Sequence, residues 1–407
     1  MWENLLDAML RRMIVIGRLD VRLPGGRVRH YGKDDTPPIT VEVHDPAILR
    51  RICLNPDMGV GEGYMNGDLT IDGDDLEGFI ALAVKNSATT GPTWMQMPTV
   101  LGRKALRRFH QFNPAPRAQR NVAHHYDLSG ELYSLFLDTD RQYSCAYFKT
   151  PEDSLEQAQA QKKAHIAGKL MLEPGMRVLD IGCGWGGMAL TLARDFGAKV
   201  VGVTLSREQH GVATQRAKEA GLEGQVEFRL QDYRQVTETF DRIVSVGMFE
   251  HVGVPHYHEY FRHVRRLLTP EGVALIHTIG RTAPPSATSP WIDKYIFPGG
   301  YIPSMSEVLK VLEKEDLMPC DIEVWRLHYA ETLKHWRNRF DANIDKVRAL
   351  YDDRFCRMWR YYLIASEMTF RHDHQVVFQF QLARDQRSVP LTRDYLYSGK
   401  ARGDQAA

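Results

Sequence analysis

The sequence lacks the features of membrane-spanning, secreted and disulfide-bonded proteins. Among its 407 residues, no apolar run approaches the roughly 18 consecutive apolar residues of a membrane-spanning helix. Near the start, apolar residues precede Arg11 and Arg12, which reverses the basic-then-apolar order of a secretory signal. The five cysteines are scattered and form no CxxC pair, so the sequence predicts neither a disulfide framework nor a metal site. We therefore expect a protein of the reducing cytoplasm that binds no metal.

The chain also lacks an excess of charge of either sign, since 52 basic residues face 51 acidic ones. This balance, together with 43% apolar residues, excludes a disordered chain, and the length suits two or three domains. One stretch departs from the balance, because no acidic residue occurs between Glu77 and Asp127. We call residues 85–120 the basic segment, and its seven cations are Lys85, Arg103, Lys104, Arg107, Arg108, Arg117 and Arg120.

Two interpretations of the basic segment remain open. Arg103 and Lys104 recur one helical turn later as Arg107 and Arg108, and this spacing is typical of a basic amphipathic helix. Such a helix binds an anionic surface, either membrane phosphates or nucleic acid. A solvated linker has the same composition, so charge alone does not decide between them.

The pattern of strands and helices predicts two domains. Short strands around the turn at Pro24 to Gly26 indicate a small α+β unit, and the prolines in Asn113 to Pro116 indicate a boundary. We therefore predict domains of residues 1–115 and 116–407. In the second domain strands alternate with helices, which predicts a doubly wound, mainly parallel sheet. The predicted strands are Arg177–Ile181, Lys199–Thr204, Val226–Leu230, Arg242–Val246, Val273–Thr278, Ile322–Leu327 and Gln375–Gln381.

A glycine-rich loop, GCGWGG at residues 182–187, follows the first of these strands and leads into a predicted helix from Met188 to Phe196. Glycines let the backbone turn sharply and let a ligand approach the bare amides. A dinucleotide site would also need an acidic residue about 20 positions further on, to bind the ribose hydroxyls. The second strand instead ends at Thr204 and Leu205 without a carboxylate, which argues against a dinucleotide.

An adenosine ligand of another kind fits better. Asp180 precedes the glycine loop, and Asp232 and Tyr233 follow the third strand, where the carboxylate can accept from an exocyclic amine and the ring can stack. The alternative for Asp232 is an aspartate that only caps a turn. The combination resembles a class I S-adenosylmethionine-dependent methyltransferase. That resemblance implies a seven-stranded α/β sheet whose last strand, Gln375 to Gln381, runs antiparallel.

Four further segments resemble one family closely, the cyclopropane-fatty-acyl-phospholipid synthases of the mycolic acid cyclopropane synthase group. They are Tyr143–Phe148 (YSCAYF), Met248–Gly253 (MFEHVG), Ile276–Gly280 (IHTIG) and Phe297–Gly300 (FPGG). A match at Gly61–Met65 (GEGYM) extends the resemblance into the amino-terminal domain, so that it covers nearly the whole chain.

The resemblance implies methylene transfer from S-adenosylmethionine to the cis double bond of an unsaturated acyl chain in a membrane phospholipid. The resulting carbocation would close to a cyclopropane by losing a proton. An alkene needs no deprotonation before attack, so the site needs an apolar tunnel, aromatic faces that tolerate a cation, and a proton acceptor. In the family the acceptor is a bound bicarbonate, whose pocket maps to Cys145, Glu250, His277, the backbone of Ile279, and Tyr329.

The resemblance also implies a set of cofactor contacts, in which Thr204 and Gln209 take the place of the usual ribose carboxylate. The chain departs from the family at Ser366, where several members carry cysteine, and a bicarbonate base accommodates that absence. The expected cofactor contacts are Tyr143, Ser144, Asp180, Gly182, Gly184, Gly186, Thr204, Leu205, Gln209, Asp232 and Tyr233.

For partners, the resemblance implies a homodimer. Independently of it, the seven cations of the basic segment predict peripheral docking on the anionic surface of the membrane, on the cytoplasmic side, and we expect the amino-terminal domain to associate with lipid. One alternative function is methylation or methylenation of the acyl chain without ring closure, which shares every cofactor motif. The intact acceptor set disfavours it. Another is a nucleic-acid methyltransferase, suggested by the basic segment, but the chain lacks an Asn/Asp-Pro-Pro-aromatic signature, so we expect no nucleic-acid partner.

Overall fold

A computed structural model describes residues 1–33, 36–91, 102–103 and 129–397. The predicted domain boundary lies outside these residues, and so do five of the seven cations of the basic segment. Both predictions therefore remain untested by the fold. Within the described ranges, no helix combines the length and the apolar composition needed to cross a bilayer.

The amino-terminal region contains a four-stranded sheet in the order β2-β1-β3-β4. Strand β1 pairs antiparallel with β2 and parallel with β3, and β3 pairs antiparallel with β4. The β1–β2 turn uses two glycines with positive φ, Gly25 and Gly26, as the Pro-Gly-Gly sequence predicts. This arrangement confirms a small α+β unit. Its elements are α1 (Trp2–Met13), β1 (Arg18–Arg22), β2 (Val28–Gly32), β3 (Ile39–Val43), α2 (Ala47–Leu54), α3 (Pro56–Asn66), β4 (Leu69–Ile71) and α4 (Leu76–Thr90).

The larger region is built on a seven-stranded sheet in the order β10-β11-β9-β8-β5-β6-β7. All neighbouring strands are parallel except β11, which runs antiparallel to both β9 and β10. This topology confirms the predicted doubly wound α/β sheet with an antiparallel last strand. The strands are β5 (Arg177–Ile181), β6 (Lys199–Thr204), β7 (Val226–Leu230), β8 (Phe240–Val246), β9 (Leu268–Arg281), β10 (Met318–Trp325) and β11 (Gln375–Ala383).

Helices lie on both faces of this sheet, so the strands are buried on both sides. In β5, for example, Val178, Leu179 and Ile181 are at most 1% exposed. The helices are α5 (Gly130–Phe136), α6 (Leu155–Leu170), α7 (Gly187–Phe196), α8 (Arg207–Glu219), α9 (Tyr257–Leu267), α10 (Pro290–Tyr295), α11 (Met305–Leu312), α12 (His328–Ala342), α13 (Ile344–Leu350), α14 (Asp353–His372) and α15 (Asp394–Tyr397).

The predicted bounds of four strands need correction. Strand β11 continues two residues beyond the predicted Gln381, to Ala383. Strand β8 begins at Phe240 and β9 at Leu268, because the two pair there across a register shift that no hydrophobic pattern reveals. Strand β10 lies earlier than predicted and ends at Trp325, since Leu327 already serves as the N-cap of α12.

Strand order places the ligand crevice. The sheet runs from β5 to β6 and β7 in one direction and from β5 to β8 and β9 in the other. In such sheets the crevice for a ligand lies outside the carboxyl ends of the strands where the order reverses. The glycine loop 182–187 occupies this position directly after β5.

The amino-terminal region packs against the part of the larger region that carries the FPGG motif. Helix α3 approaches α10 so closely that a Cβ on Gly61 would lie 2.4 Å from the Trp291 ring. The Trp291 indole N–H donates to the Met65 sulfur at 3.2 Å. The two regions therefore form a continuous apolar core at this point.

Candidate active site

A cavity opens at the carboxyl ends of β5, β6, β7 and β8. Ten of the eleven predicted cofactor residues line it, and only Gly186 does not. The ten are Tyr143, Ser144, Asp180, Gly182, Gly184, Thr204, Leu205, Gln209, Asp232 and Tyr233.

The glycines of the loop have different roles. Gly184 has φ of 53°, and a Cβ built on it meets nothing within 4 Å, so it borders open space. A Cβ on Gly186 would lie 2.7 Å from the Phe228 ring and 2.9 Å from the Ala213 Cβ. Gly186 is therefore needed for close contact of the loop with β7 and α8, whereas Gly184 leaves room for a ligand.

Asp180 places an unneutralised carboxylate in the wall of the cavity. It is 1% exposed, and its Oδ2 has no hydrogen-bond partner among the described residues. Burial raises the pKa of Asp180 to about 7, against the opposing effect of the Lys162 ammonium. An orphaned buried carboxylate fits a ligand that brings a positive charge, as S-adenosylmethionine does with its ammonium and sulfonium groups.

Thr204 and Gln209 form a polar pair at the end of β6. The Thr204 hydroxyl donates to Gln209 Oε1 at 3.1 Å, while accepting from the Ser206 N–H at 3.2 Å. The Gln209 carbonyl oxygen is thus engaged, and its NH2 group remains as a donor at the cavity. The pair can therefore bind the hydroxyls of a ribose, and no carboxylate is needed at this position.

Asp232 and Tyr233 also lie at the cavity, but Asp232 is already engaged. Its carboxylate accepts from the guanidinium of Arg234 at 2.9 and 2.6 Å and caps the turn through the Arg234 N–H at 3.0 Å. The turn-capping role is therefore present, although Oδ2, which accepts from one donor only, retains capacity for another. The Tyr233 ring packs edge-on against Tyr260, with ring centroids 5.5 Å apart.

A second group of residues surrounds Glu250 beside this cavity. Glu250 Oε1 accepts from the backbone N–H of Ile279 at 2.6 Å, while its buried Oε2 has no partner among the described residues. Burial raises the pKa of Glu250 to about 7, although the Ile279 N–H opposes the shift. The Ile279 N–H therefore orients the carboxylate and leaves one of its oxygens available as an acceptor.

His277 lies two residues before Ile279 on β9, so that both side chains point to the same face of the sheet. The Gln379 amide nitrogen lies 3.1 Å from His277 Nδ1 and donates to it. Burial, reinforced by Lys162 and Lys169, lowers the pKa of His277 well below its usual range. His277 is thus neutral, and its ring proton is on Nε2.

Cys145 and Tyr329 approach the same region from the other side. The Ala146 N–H donates to the Thr332 hydroxyl at 3.0 Å, and Thr332 lies one helical turn after Tyr329 on α12. Cys145 is 1% exposed, and burial raises the pKa of its thiol, so it is protonated. Cys145, Tyr329 and Ile279 belong to one apolar cluster, which His277 joins through an edge contact with Trp325 at 5.1 Å.

Two short segments connect the cofactor cavity with the Glu250 group. Tyr143 and Ser144 line the cavity, while the next residue, Cys145, lies in the apolar cluster. Likewise Glu250 bonds to β9, while the next residue, His251, lines the cavity. The two sites are therefore adjacent.

Aromatic rings occupy the space around this junction. The Tyr143 and Tyr362 hydroxyls are 3.0 Å apart, and Tyr143 stacks on Trp336 with centroids 5.1 Å apart. Phe297 of the FPGG motif contacts Tyr362 edge-on, at 5.9 Å. Such a wall of electron-rich faces suits a transient cation in an apolar environment.

Sequence reasoning missed several residues of the cavity wall. Burial lowers the pKa of His251 to about 4, so this lining residue is neutral. Its position directly after Glu250 in the MFEHVG motif was a usable signal, because a tight turn directs successive side chains to different sides. The other missed lining residues include Arg141, Gln142, Met188, Val203, Gln231, Val246, Gly247, Met248, Val252 and His256.

A family model described as mycolic acid cyclopropane synthetase matches residues 114–380 of the chain. The chain belongs to this family. A second model, described as a domain of unknown function (DUF7884), matches residues 5–91. As a member of the mycolic acid cyclopropane synthetase family, with the methyltransferase fold and the cavity above, the chain is an S-adenosylmethionine-dependent methyltransferase.

Relatives of known name agree with this assignment. The chain is 41% identical over 334 residues to the cyclopropane-fatty-acyl-phospholipid synthase of Escherichia coli K12, covering 82% of this chain and 85% of the relative. It is 36% identical over 362 residues to the tuberculostearic acid methyltransferase UfaA1 of Mycobacterium tuberculosis, covering 84% and 83%. The solved structure of mycolic acid cyclopropane synthase CmaA1, complexed with SAH and CTAB, is 33% identical, with a TM-score of 0.62, and the match covers 67% of this chain and 99% of that one.

Proposed function

We propose that the protein converts the cis double bond of an unsaturated acyl chain in a membrane phospholipid into a cyclopropane. The observation that carries the proposal is the buried Glu250 carboxylate, which keeps one oxygen without a partner and lies one residue from the cofactor cavity. Ring closure of the alkyl cation releases a proton, and this oxygen can help to hold the group that accepts it. The 41% identity to the Escherichia coli synthase supports the same product.

The cofactor would be held by residues from both ends of the cavity. Asp180 offers a carboxylate to the cofactor ammonium, Thr204 and Gln209 offer hydrogen bonds to the ribose, and Tyr233 offers its ring to the adenine. When bound, S-adenosylmethionine supplies an electrophilic methyl group. The aromatic wall of Tyr143, Tyr362 and Phe297 faces the cationic alkyl centre and excludes water. The cation therefore loses a proton instead of being captured by water.

The acceptor residues suit a bound bicarbonate. Glu250 Oε2 can accept from its hydroxyl, and the neutral His277 can donate to it from Nε2. Cys145 and Tyr329 supply further donors, and the Ile279 N–H acts indirectly by holding Glu250. Bicarbonate would accept the proton that the alkyl cation loses on ring closure.

The direct test is the structure of the product. Cells that lack such an enzyme should accumulate cyclopropane fatty acids when they express this chain. Ring closure and methylenation both add one CH2 group, so mass alone does not separate them. Proton NMR of the extracted lipid does, because ring CH2 protons resonate upfield of the alkyl signals and a methylene product keeps vinyl protons. Vinyl signals without ring signals would contradict the proposal.

The second candidate is therefore methylation or methylenation without ring closure. The 36% identity to a tuberculostearic acid methyltransferase favours it. Both reactions share the cofactor site and differ only in the fate of the cation. We favour ring closure because the four acceptor residues that the family resemblance implies, Cys145, Glu250, His277 and Tyr329, are all present in the chain.

We also propose that the enzyme docks on anionic lipid through the basic segment, as a peripheral homodimer on the cytoplasmic face of the membrane. A phospholipid double bond lies inside the bilayer, so the enzyme must approach the surface to draw the acyl chain out. Each cation near an anionic leaflet contributes about 1 kcal/mol. Sedimentation of the purified protein would test the dimer.

Replacing Arg103, Lys104, Arg107 and Arg108 together with Gln should weaken binding to anionic vesicles and flatten its dependence on salt. The reason is that the Debye length is about 8 Å at physiological ionic strength, so salt screens this attraction. Vesicle sedimentation over a range of salt concentrations measures both effects. Turnover of detergent-dispersed lipid should fall less, because docking is then no longer required.

The matched control removes the same charge from four exposed lysines of the larger region, by replacing Lys218, Lys310, Lys314 and Lys346 with Gln. This control should bind vesicles nearly as the wild type does. Equal binding by both quadruple variants and the wild type would identify the basic segment as a linker, and would move the proposed docking surface to the first hundred residues.

A further inference from the structure

Lys162 on α6 is a buried cation that no carboxylate of the described residues contacts directly, although the nearby Asp138 favours its charged form. It is 0% exposed and makes no ion pair within those residues. The neighbouring Lys163 pairs with Asp140, and Lys169, also 0% exposed, pairs with Asp321 and Glu323. A buried ammonium with only neutral acceptors is costly, so a ligand of opposite charge is the expected compensation.

The two hydrogen bonds of Lys162 both lead to the cofactor cavity. Its Nζ donates to Gln142 Oε1 at 2.7 Å and to Ser144 Oγ at 2.8 Å, and both residues line the cavity. The Gln142 NH2 group donates a hydrogen bond to Asp140 Oδ2 at 3.0 Å. Ser144 is also fixed through its backbone, since its carbonyl accepts from Gln159 Nε2 at 2.9 Å.

This geometry determines the role of the Ser144 hydroxyl. An ammonium only donates, so Ser144 Oγ accepts from Lys162 and its own proton must point elsewhere. Ser144 therefore presents an O–H donor to the cavity with a positive charge behind it. A donor polarised in this way binds an anion more strongly than a neutral hydroxyl does.

The cofactor carries one group of matching chemistry, the carboxylate of its methionine part. We propose that Lys162 is a positioning residue for that carboxylate, which it binds indirectly by orienting and polarising the Ser144 hydroxyl. The proposal rests on the assignment of Ser144 to the cofactor site under the proposed function. Asp180, with its unpartnered oxygen, provides the complementary charge for the cofactor ammonium.

The charge state of Lys162 agrees with this role. Burial lowers the pKa of Lys162 to about 8, with Asp138 opposing the shift. The ammonium form thus predominates at neutral pH before any ligand binds.

The test compares ligands with and without the carboxylate in the full-length enzyme. S-adenosylhomocysteine contains the amino-acid part, whereas 5′-methylthioadenosine lacks it. Calorimetry should show that Lys162→Met weakens S-adenosylhomocysteine binding by about tenfold or more, as expected for a hydrogen bond to a charged group. Binding of 5′-methylthioadenosine should change by no more than about twofold. An equal loss for both ligands, or no loss for either, would overturn the proposal.

Two further variants separate a specific effect from loss of folding. Lys169→Met removes an equally buried lysine from the same helix, and should leave the preference for S-adenosylhomocysteine over 5′-methylthioadenosine unchanged. Lys162→Gln keeps an NH2 donor but removes the charge. If Lys162→Met does not fold, binding of S-adenosylhomocysteine and of 5′-methylthioadenosine is compared in this variant instead.

A double-variant cycle tests whether Lys162 acts through Ser144. The losses in Lys162→Met and Ser144→Ala should not add in the double variant. Full additivity would show that Lys162 does not act through the hydroxyl. If Ser144→Ala weakens binding and Lys162→Met does not, only this inference fails; if neither Ser144→Ala nor Asp180→Asn affects binding, the cofactor-site assignment itself fails.

Discussion

Glu250→Gln and His277→Ala are each expected to lower kcat by about 10²-fold or more while the Kd for S-adenosylmethionine changes by only a few fold. The reason is that neither residue lines the cofactor cavity, and that we propose both hold the proton acceptor beside it. Steady-state kinetics at saturating cofactor, together with calorimetry of S-adenosylhomocysteine binding, measures the two effects separately. Comparable loss of turnover and of cofactor affinity would refute the assignment.

The pH dependence of kcat gives a second signature of Glu250. Its pKa is raised to about 7 by burial, and the carboxylate form accepts from a bicarbonate hydroxyl more strongly than the protonated form does. In the wild type, kcat should therefore fall as the pH decreases through about 7, and Glu250→Gln should remove this limb. Removing dissolved carbon dioxide should slow the wild type, and added bicarbonate should restore its rate. A wild-type rate that does not depend on the bicarbonate concentration would exclude this anion as the acceptor.

Stability measurements distinguish these effects from unfolding. Because the folded-state pKa of Glu250 is raised from 4.5 to about 7, stability falls as the pH rises between these values, and the full cost of the buried carboxylate is present above pH 7. Glu250→Gln should thus melt at the same or a higher temperature than the wild type at pH 8. Glu367→Gln is a suitable control, since Glu367 is 1% exposed and burial also raises its pKa, but it bonds to Arg371, away from the cavity. This control should retain the wild-type pH limb.

The parts of the fold that the sequence predicted are those with local signals. The glycine loop could be predicted because positive φ at Gly182, Gly184 and Gly186 requires glycine between a strand and a helix. Strands β5 and β6 are mainly apolar, β7 alternates apolar with charged residues, and the predicted bounds of all three match the structure. Strand β10 was placed too late, because its end depends on where α12 begins and not on its own composition.

The acceptor group could not be predicted from local pattern. Cys145, Glu250, His277 and Tyr329 come from four distant segments, and only the family resemblance predicts that they act together. Lys162 shows the opposite failure. In the polar sequence QAQKKAH, a lysine is expected to be exposed to solvent. Helix α6 nevertheless packs so that Lys162 is fully buried, and the periodicity of the sequence does not predict which groups accept its hydrogen bonds.

Gly184→Val is expected to abolish measurable binding of S-adenosylhomocysteine while the protein remains folded. Two effects act together at this residue. A valine is strained at a φ of 53°, and its Cβ would project into space where the structure has no atom within 4 Å. That space lies between the loop backbone and the cavity, where a ligand has to approach the amides.

The matched control for this strain is Gly221→Val. Gly221 also has positive φ, of 66°, and open space around its Cβ, but it follows α8 far from the cavity lining. Both variants should lose similar melting temperature, since both place a β-branched residue in the left-handed region. Only Gly184→Val should lose cofactor binding, because only there does the side chain occupy the ligand's space. Wild-type affinity in Gly184→Val would remove the glycine loop from the cofactor site, and equal loss in both variants would show that backbone strain alone impairs binding.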